Sequence, residues 1–183
     1  MSQLKVDSII PRSGVASGQG GGIVQVVSVY KGDRFTTSNT SHTDITGMSL
    51  TITPLSSSSK IMILGSFGAA CTRQNTLDHG QIIRILRNGS DANLLNGTAE
   101  GSRIRATWKG AGVSYNNDHT MGGFAFSGVD NPATTSALTY KVQVHCQQSA
   151  YPFYLNGNAN NGNDGSIFNA RTMSSLIAME ISG

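Results

Sequence analysis

The strongest constraint on the fold is a period-two alternation of apolar and polar side chains. Its longest clean run is 138–146, LTYKVQVHC, in which every second side chain is apolar. Such alternation places all the apolar side chains on one face of a β-strand. The same pattern occurs at 48–53, MSLTIT. Both stretches are therefore predicted to be strands with one buried face and one solvated face.

A second kind of strand is predicted directly after 48–53. Pro54 and the serines of 56–59 end the preceding strand, because proline cannot donate to a ladder and small hydroxyl side chains favour turns. The sequence then continues at 60–64 as KIMIL, a nearly continuous apolar run. Such a run predicts a strand that is buried on both faces.

The remaining apolar segments are short and are separated by turn-forming residues. Asn88-Gly89 is the strongest hairpin signal, because both residues tolerate a positive φ. It is predicted to join strands at 81–87 and 91–95. Further strands are predicted at 23–30, 34–38, 102–108, 121–126 and 174–181, with 39–47 as a polar connection and 129–132 as a turn.

These patterns together predict an all-β fold. Seven to ten short strands are expected, and no helical periodicity extends beyond two turns. Frequent glycine and proline punctuation between short strands is typical of an antiparallel β-sandwich. We therefore expect a jelly-roll-like sandwich with an extended N-terminal arm.

The arm is predicted at 1–22 and the sandwich domain at 23–183. Residues 11–22 are rich in glycine and serine, as flexible linkers are. The preceding segment is too short to fold alone, and its apolar side chains would be exposed unless the domain, a sister subunit or a docking partner covers them. A frayed terminus is the alternative. The candidate docking residues are Leu4, Val6, Ile9 and Ile10.

The composition argues against nucleic-acid binding and membrane insertion. Charged residues are 13% of the chain, against a typical ~25%, so serine, threonine, asparagine and glycine must cover much of the surface. The net charge is +3, and the basic residues are scattered singly rather than massed with aromatics. No stretch approaches the ~20 apolar residues that cross a bilayer.

No set of residues in the sequence predicts catalysis, and we expect a non-enzymatic protein without a cofactor. A metal site would form only if the fold gathers histidines that are far apart in sequence. A glycosidase pair would need two acidic residues placed in one cleft, and nothing pairs them in sequence. The histidines are His42, His79, His119 and His145, and the acidic candidates are Asp78, Asp91, Glu100, Asp118, Asp130 and Asp164.

The two cysteines, Cys71 and Cys146, lie in or beside predicted strands. They are too few for a disulfide scaffold and have no CxxC spacing. Two separately buried thiols and one inter-strand bridge are both compatible with the sequence.

The region 151–165 is the candidate for recognition of a cell surface. An aromatic cluster precedes NGNANNGNDG, ten residues too polar to bury, which predicts an exposed tip. Aromatic faces and amide groups are common in sugar sites. The alternative is that Phe153 and Tyr154 pack beneath the loop. The candidate contacts are Tyr151, Phe153, Tyr154, Asn156, Asn158, Asn160, Asn161 and Asn163.

Four segments resemble a family of small tailed-bacteriophage proteins, frequent among phages of aquatic bacteria and labelled as tail-fibre or other virion structural proteins. They are LKVDSI at 4–9, GMSLTITPLSSSSKIMILGS at 47–66, DNPATTSALTYKVQ at 130–143 and LIAMEIS at 176–182. Residues 71–120 and 147–170 lie outside the resemblance. The resemblance implies a homotrimer with a jelly-roll domain and an N-terminal segment that docks onto the virion.

The first hypothesis is a trimeric tail fibre or fibre tip in the virion. Its arm would attach to other virion proteins of the tail, baseplate or capsid, and its loops would contact the host surface, including a surface glycan. The alternative is a capsid decoration or head-fibre protein of the same fold, which would cement the shell. A third hypothesis is a free-standing lectin or glycan hydrolase.

Overall fold

Two antiparallel β-sheets form the part of the chain that a computed structural model describes, residues 22–71, 80–91, 95–111 and 122–183. These residues contain eleven strands, one short 3-10 turn at Ile167–Asn169 and no α-helix. The strands are β1 (Ile23–Lys31), β2 (Phe35–Thr37), β3 (Thr43–Ile52), β4 (Lys60–Cys71), β5 (Gly80–Arg87), β6 (Ser90–Asp91), β7 (Trp108–Ala111), β8 (Gly122–Asp130), β9 (Leu138–Cys146), β10 (Phe153–Leu155) and β11 (Ser174–Ile181).

The strand order is that of a jelly roll. In the first sheet the four long strands have the order β1-β11-β4-β8. Beyond the end of β11, the short strand β10 pairs with β4, and β2 pairs with β10. In the second sheet the order is β3-β9-β5, and both β6 and β7 pair with β5. The long strands alternate between the two sheets along the chain, which is the double-sheet jelly-roll arrangement. The predicted fold class is confirmed for the described residues.

The core lies between the two sheets and follows the predicted alternation. Leu138, Tyr140, Val142, Val144 and Cys146 on β9 all point inward and are fully buried. β9 and β11 have the predicted bounds to within one residue. Along β9 the apolar and polar side chains alternate cleanly, because one face of the strand lies in the core and the other lies outside it.

A stack of three aromatic rings joins the two layers. Trp108 on β7 lies parallel to Phe124 on β8, with 4.0 Å between ring centroids. Phe124 stacks in turn on Phe67 of β4 at 4.5 Å. Since β7 belongs to the second sheet and β8 to the first, the stack bridges the sandwich. Trp108 therefore has a packing role.

Asp130 ties the two sheets together by hydrogen bonds. Its carboxylate is buried at the end of β8 and accepts two bonds from Arg87 Nη1 and one from the Tyr140 hydroxyl, each 2.7 Å long. Arg87 and Tyr140 both belong to the second sheet. Burial, and then the neighbouring Asp130 carboxylate, raise the pKa of Tyr140 far above its ordinary value. The phenol therefore remains a hydrogen-bond donor.

Glu180 on β11 is a second buried carboxylate in the same row of the first sheet. The register places Ile61 opposite both Glu180 and Asp130, so the two acids flank it. Burial alone would raise the pKa of Glu180, but hydrogen bonds from Ser59, Gln25 and the backbone at 55–56 outweigh it and hold the pKa below its ordinary value. The charged group accepts the Leu55 N–H at 2.8 Å and so fixes the connection between β3 and β4.

Two predicted boundaries of the second sheet are wrong. The polar connection at 39–47 contains the first half of β3, because Ile45 points into the core while Asp44 faces outward and binds Lys141. Of the predicted strand 102–108, only Trp108 is in a strand. The edge position beside Ile85 is taken instead by Asn96, whose side-chain amide exchanges two hydrogen bonds with the Ile85 backbone.

Three further predictions need smaller corrections. Val129 and Asp130, predicted as a turn, end β8. The KIMIL run is not buried on both faces, since Ile61 and Ile63 are in the core while Met62 and Leu64 are half-buried on the outside. The Asn88-Gly89 turn is confirmed, with φ of 51° and 82°, but its returning strand is described only at 90–91. The predicted arm at 1–22 lies outside the described residues, except for Gly22.

Replacing Asp130 by alanine should lower the free energy of unfolding by about 3 kcal/mol, because Arg87 and Tyr140 lose a shared buried acceptor. Tyr140→Phe should lower it by about 1.5 kcal/mol, since one charge-assisted bond is lost. Urea unfolding at one fixed protein concentration measures both.

The matched control is Asp44→Ala, which removes an exposed carboxylate bound to Lys141. It should lower the free energy of unfolding by less than about 1 kcal/mol. Equal losses for the variants at 44 and 130 would contradict a special role for the buried carboxylate.

Candidate functional site

The outward-pointing side chains of the first sheet are apolar or small. Val26 and Tyr30 of β1 are 54% and 60% exposed, and the burial pattern alternates along each of the strands β1, β11 and β8. We call this surface the apolar face. Its larger side chains are Val24, Val26, Tyr30, Met62, Leu64, Val129, Ile177, Met179 and Ile181.

The apolar face is almost free of charge. Among the described outward positions of β1, β11, β4 and β8, only Lys60, at the start of β4, is charged. The other charged residues on these strands, Lys31, Asp130 and Glu180, point inward and are buried. Four strands of about eight residues cover roughly 500 Å² at ordinary strand spacing. This lies within the size range of the largest apolar patch on a typical monomer, and such patches are often functional.

A shallow depression lies within the apolar face. Its volume is about 500 Å³, and Leu64 and Ile177 flank it. Small side chains form its floor: Ser66, Ala125, Ser127 and Ser175. A concave apolar surface of this kind can receive a protruding side chain from another protein surface.

The outer face of the second sheet is polar by contrast. Asp44 accepts hydrogen bonds from Lys141 at 2.7 Å and from the Gln143 amide, and these bonds lower the pKa of its carboxyl group. Arg84 donates to Gln143 at 3.0 Å. Paired charges and amides on an exposed sheet are typical of a surface in water. The two outer faces of the sandwich therefore differ in chemistry.

The Asn-rich stretch at 156–165 is not the fully exposed tip that its composition predicted. Asn156 and Asn158 are buried, with 0% and 1% of their surface exposed. Phe153 is also completely buried and belongs to the core. Because all three residues are buried, the prediction that they contact a host surface is wrong. Phe153 packs inside, as the alternative interpretation held.

Asn156 is buried because it satisfies backbone and side-chain groups of three other strands and turns. Its Nδ2 donates to the carbonyl groups of Lys31 and Asp33, at 2.7 and 3.2 Å. Its Oδ1 accepts the Ser174 hydroxyl at 2.6 Å, and Ser174 Oγ accepts the N–H of Gly68. The backbone of Asn156 has a φ of 60°, which asparagine tolerates better than most residues. This asparagine is structural.

The outer half of the loop is held by its own side chains. Asn158 and Asn160 both donate to Asn169 Oδ1, and Asn169 donates to Asp164 at 2.9 Å. Arg171 donates to Asn161. Only the far part of the loop is exposed, and it retains three predicted contacts, Asn160, Asn161 and Asn163.

The predicted aromatic contacts lie beside this loop but do not form an open platform. Tyr151 and Tyr154 are half-buried. The guanidinium carbon of Arg34 lies 4.6 Å from the centre of the Tyr154 ring, a cation–π contact that occupies one face of the ring. The alternation of Phe153 and Leu155, both buried on β10, was the sequence signal for this inward packing.

The fold brings together two of the candidate histidines. The rings of His42 and His145 meet edge to face, with centroids 4.9 Å apart. Within the described parts of the chain, no three histidine, cysteine or acidic side chains are placed to share a metal ion. His79 and His119 lie outside the described residues.

The candidate acids and cysteines have structural partners where they are described. Asp130 holds Arg87, Asp164 accepts the Ser166 N–H, and Glu100 pairs with Arg103. Cys146 is a free buried thiol that donates to the Thr37 carbonyl at 3.5 Å, and burial raises its pKa. Asp78, Asp118, the side chains of Asp91 and Cys71, and the arm residues Leu4, Val6, Ile9 and Ile10 lie outside the description.

In comparisons with known proteins, no protein-family model matches the chain and no curated protein matches it significantly. In the described residues, no helix is long and apolar enough to cross a membrane.

Replacing Asn156 by alanine should lower the free energy of unfolding by about 3 kcal/mol, because buried polar groups lose their partner and alanine is strained at positive φ. Asn156→Gly also loses the side-chain hydrogen bonds but has no strain at positive φ, so it should be about 1 kcal/mol more stable than Asn156→Ala. Asn163→Ala, at an exposed position, should change the value by less than about 0.5 kcal/mol. Thermal and urea unfolding measure all three; equal stability of the variants at 156 and 163 would refute the structural role.

Proposed function

We propose that this protein is a non-enzymatic structural component of a tailed-bacteriophage particle, a trimeric tail fibre or fibre tip. The observation that carries the proposal is the apolar face of the first sheet. A surface of this size without charge is costly to leave in water, and it is the face that an assembly would cover.

Self-association explains why the two outer faces differ. In a closed ring of three chains, each copy can turn its first sheet toward its sisters and its second sheet toward water. Depletion of charge and enrichment of apolar side chains are typical of the centre of such an interface. Lys60, at one end of the face, would then lie on the rim, where its charge stays hydrated.

The remaining parts of the chain fit the attachment of a particle to a host. The arm at 1–22 would dock onto other virion proteins through Leu4, Val6, Ile9 and Ile10. The exposed asparagines at 160, 161 and 163 would contact the host surface, held in place by the hydrogen bonds of their own loop. Three linked copies strengthen weak contacts through avidity. The resemblance of four segments to phage virion proteins supports the same proposal.

The oligomeric state in solution tests whether the apolar face joins three chains. Light scattering coupled to size-exclusion chromatography should give three times the chain mass of 19.2 kDa. The double variant Val26→Lys, Met179→Lys should be monomeric, because these neighbouring residues would place two cations at the centre of the face. Thr51→Lys, on the polar face, should remain trimeric. A monomeric wild type at micromolar concentration would refute the proposal.

Deletion of residues 1–21 tests the docking arm. The truncated protein should keep its fold, since it retains Gly22, whose carbonyl accepts the Ser182 N–H at 3.0 Å. It should nevertheless be missing from purified particles, which quantitative immunoblotting measures. Normal incorporation would exclude docking by the arm.

Imaging of particles with a label on the C-terminus should place the protein on the tail; label on the capsid would favour a decoration or head-fibre role.

A further inference from the structure

A groove lies on the outer surface of the second sheet, away from the apolar face and from the asparagine loop. Its volume is about 480 Å³, within the range of about 300–1,000 Å³ that small-ligand sites occupy. Residues distant in sequence form it: Ile82, Arg103, Ile104, Lys109, His145 and Gln147, with Gly80 at one wall. We call it the basic groove.

The register of three strands places a cation, an apolar side chain and an imidazole side by side. Ile82 on β5 is the direct partner of Lys109 on β7 and of His145 on β9. At ordinary strand spacing this row is about 10 Å wide. The edge-to-face contact with His42 orients the His145 ring. These neighbours form a floor that is apolar in the middle and polar at both ends.

Two side chains add to this floor from outside the row. Ile104 is 62% exposed and offers a second apolar contact. The side-chain amide oxygen of Gln147 accepts the Gly80 N–H at 3.2 Å, and the backbone N–H of Gln147 donates to the Gly80 carbonyl at 3.1 Å. With its oxygen engaged, the side-chain amide has its NH₂ group left to donate to a ligand.

The charges of the groove favour an anion. Arg103 and Lys109 line it, and none of its described lining residues is acidic. Outside the lining, the Glu100 carboxylate lies 3.3 Å from Arg103 Nε. Both of these side chains are about three-quarters exposed, at 74% and 76%, so the pair is weak and a carboxylate ligand can compete for the guanidinium.

We propose that the basic groove binds one acidic sugar unit of a carboxylated polysaccharide. Arg103 and Lys109 would bind the carboxylate, and arginine matches it with two parallel hydrogen bonds. The C–H face of the sugar ring would lie over Ile82 and Ile104, and the Gln147 amide would donate to a ring hydroxyl. This inference goes beyond the proposed function, because it adds a second contact surface on the second sheet and gives that surface a ligand class.

A single-stranded nucleic acid fits the groove less well. Such ligands stack their bases on aromatic side chains and follow a longer basic track. The described lining residues include no phenylalanine, tyrosine or tryptophan, and the one aromatic ring among them, the His145 imidazole, is packed edge to face against His42. They include only two lysine or arginine side chains, Arg103 and Lys109. The experiment keeps an oligonucleotide as a competing probe.

Calorimetric titration of the full-length chain with trigalacturonate tests the proposal. We expect saturable binding that weakens as salt is added, because the contact is ionic and exposed. Arg103→Gln and Lys109→Gln should each weaken it by about tenfold or more, because each removes one of the two cations that bind the carboxylate. Lys141→Gln removes the same charge from the same sheet outside the groove and should leave the affinity unchanged. Maltotriose, a neutral sugar of equal length, should not bind.

Four results would overturn the inference: no binding of trigalacturonate, equal weakening by Lys141→Gln, equal binding of inorganic phosphate, or tighter binding of a deoxythymidine oligonucleotide. The same samples separate this inference from the proposed function. If the protein is a trimer that does not bind the acidic sugar, the ligand assignment fails and the fibre proposal stands. If it is a monomer that binds the acidic sugar, the fibre proposal fails and the ligand assignment stands.

Discussion

The structure depends on two carboxylates that are buried in one row of the first sheet. Glu180 and Asp130 flank Ile61, and each accepts hydrogen bonds from outside its own strand, Glu180 from the β3–β4 connection and Asp130 from the second sheet. An unpartnered buried carboxylate would be destabilising by several kcal/mol, so this geometry holds only while both sets of partners are in place. The same arrangement turns the negative charge of these strands inward. Among the described residues, the outer face of the first sheet is left without acidic side chains.

This division of charge separates the functions that we propose for the two layers. The first sheet offers an apolar surface that suits contact with identical chains, while the second offers paired charges, amides and the basic groove. A sandwich allows the separation because each strand shows alternate residues to the core and to the outside. Two neighbouring sheets can therefore carry different outer surfaces over one shared core.

The sequence predicted the elements whose burial follows from local pattern. The strand β9 was found because its apolar and polar side chains alternate, and the Asn88-Gly89 turn because both of its residues tolerate a positive φ. The inward position of Asn156 and Asn158 was missed, since asparagine in a loop is usually solvated and only the fold shows which carbonyl groups it must satisfy. The basic groove could not be predicted, because strand pairing alone brings Ile82, Lys109 and His145 together. In KIMIL, Met62 and Leu64 are as apolar as Ile61 and Ile63, so Lys60 was the one residue whose charge marked the outer face.

The aromatic stack that bridges the layers also gives the molecule an optical probe. Trp108 is the only tryptophan in the chain, and its indole ring lies on Phe124 of the opposite sheet. Indole emission is sensitive to the polarity around the ring, so separation of the two layers would shift its wavelength. Events confined to the outer surface of the first sheet would leave the spectrum unchanged. Fluorescence of the unlabelled protein therefore distinguishes opening of the sandwich from association of intact subunits.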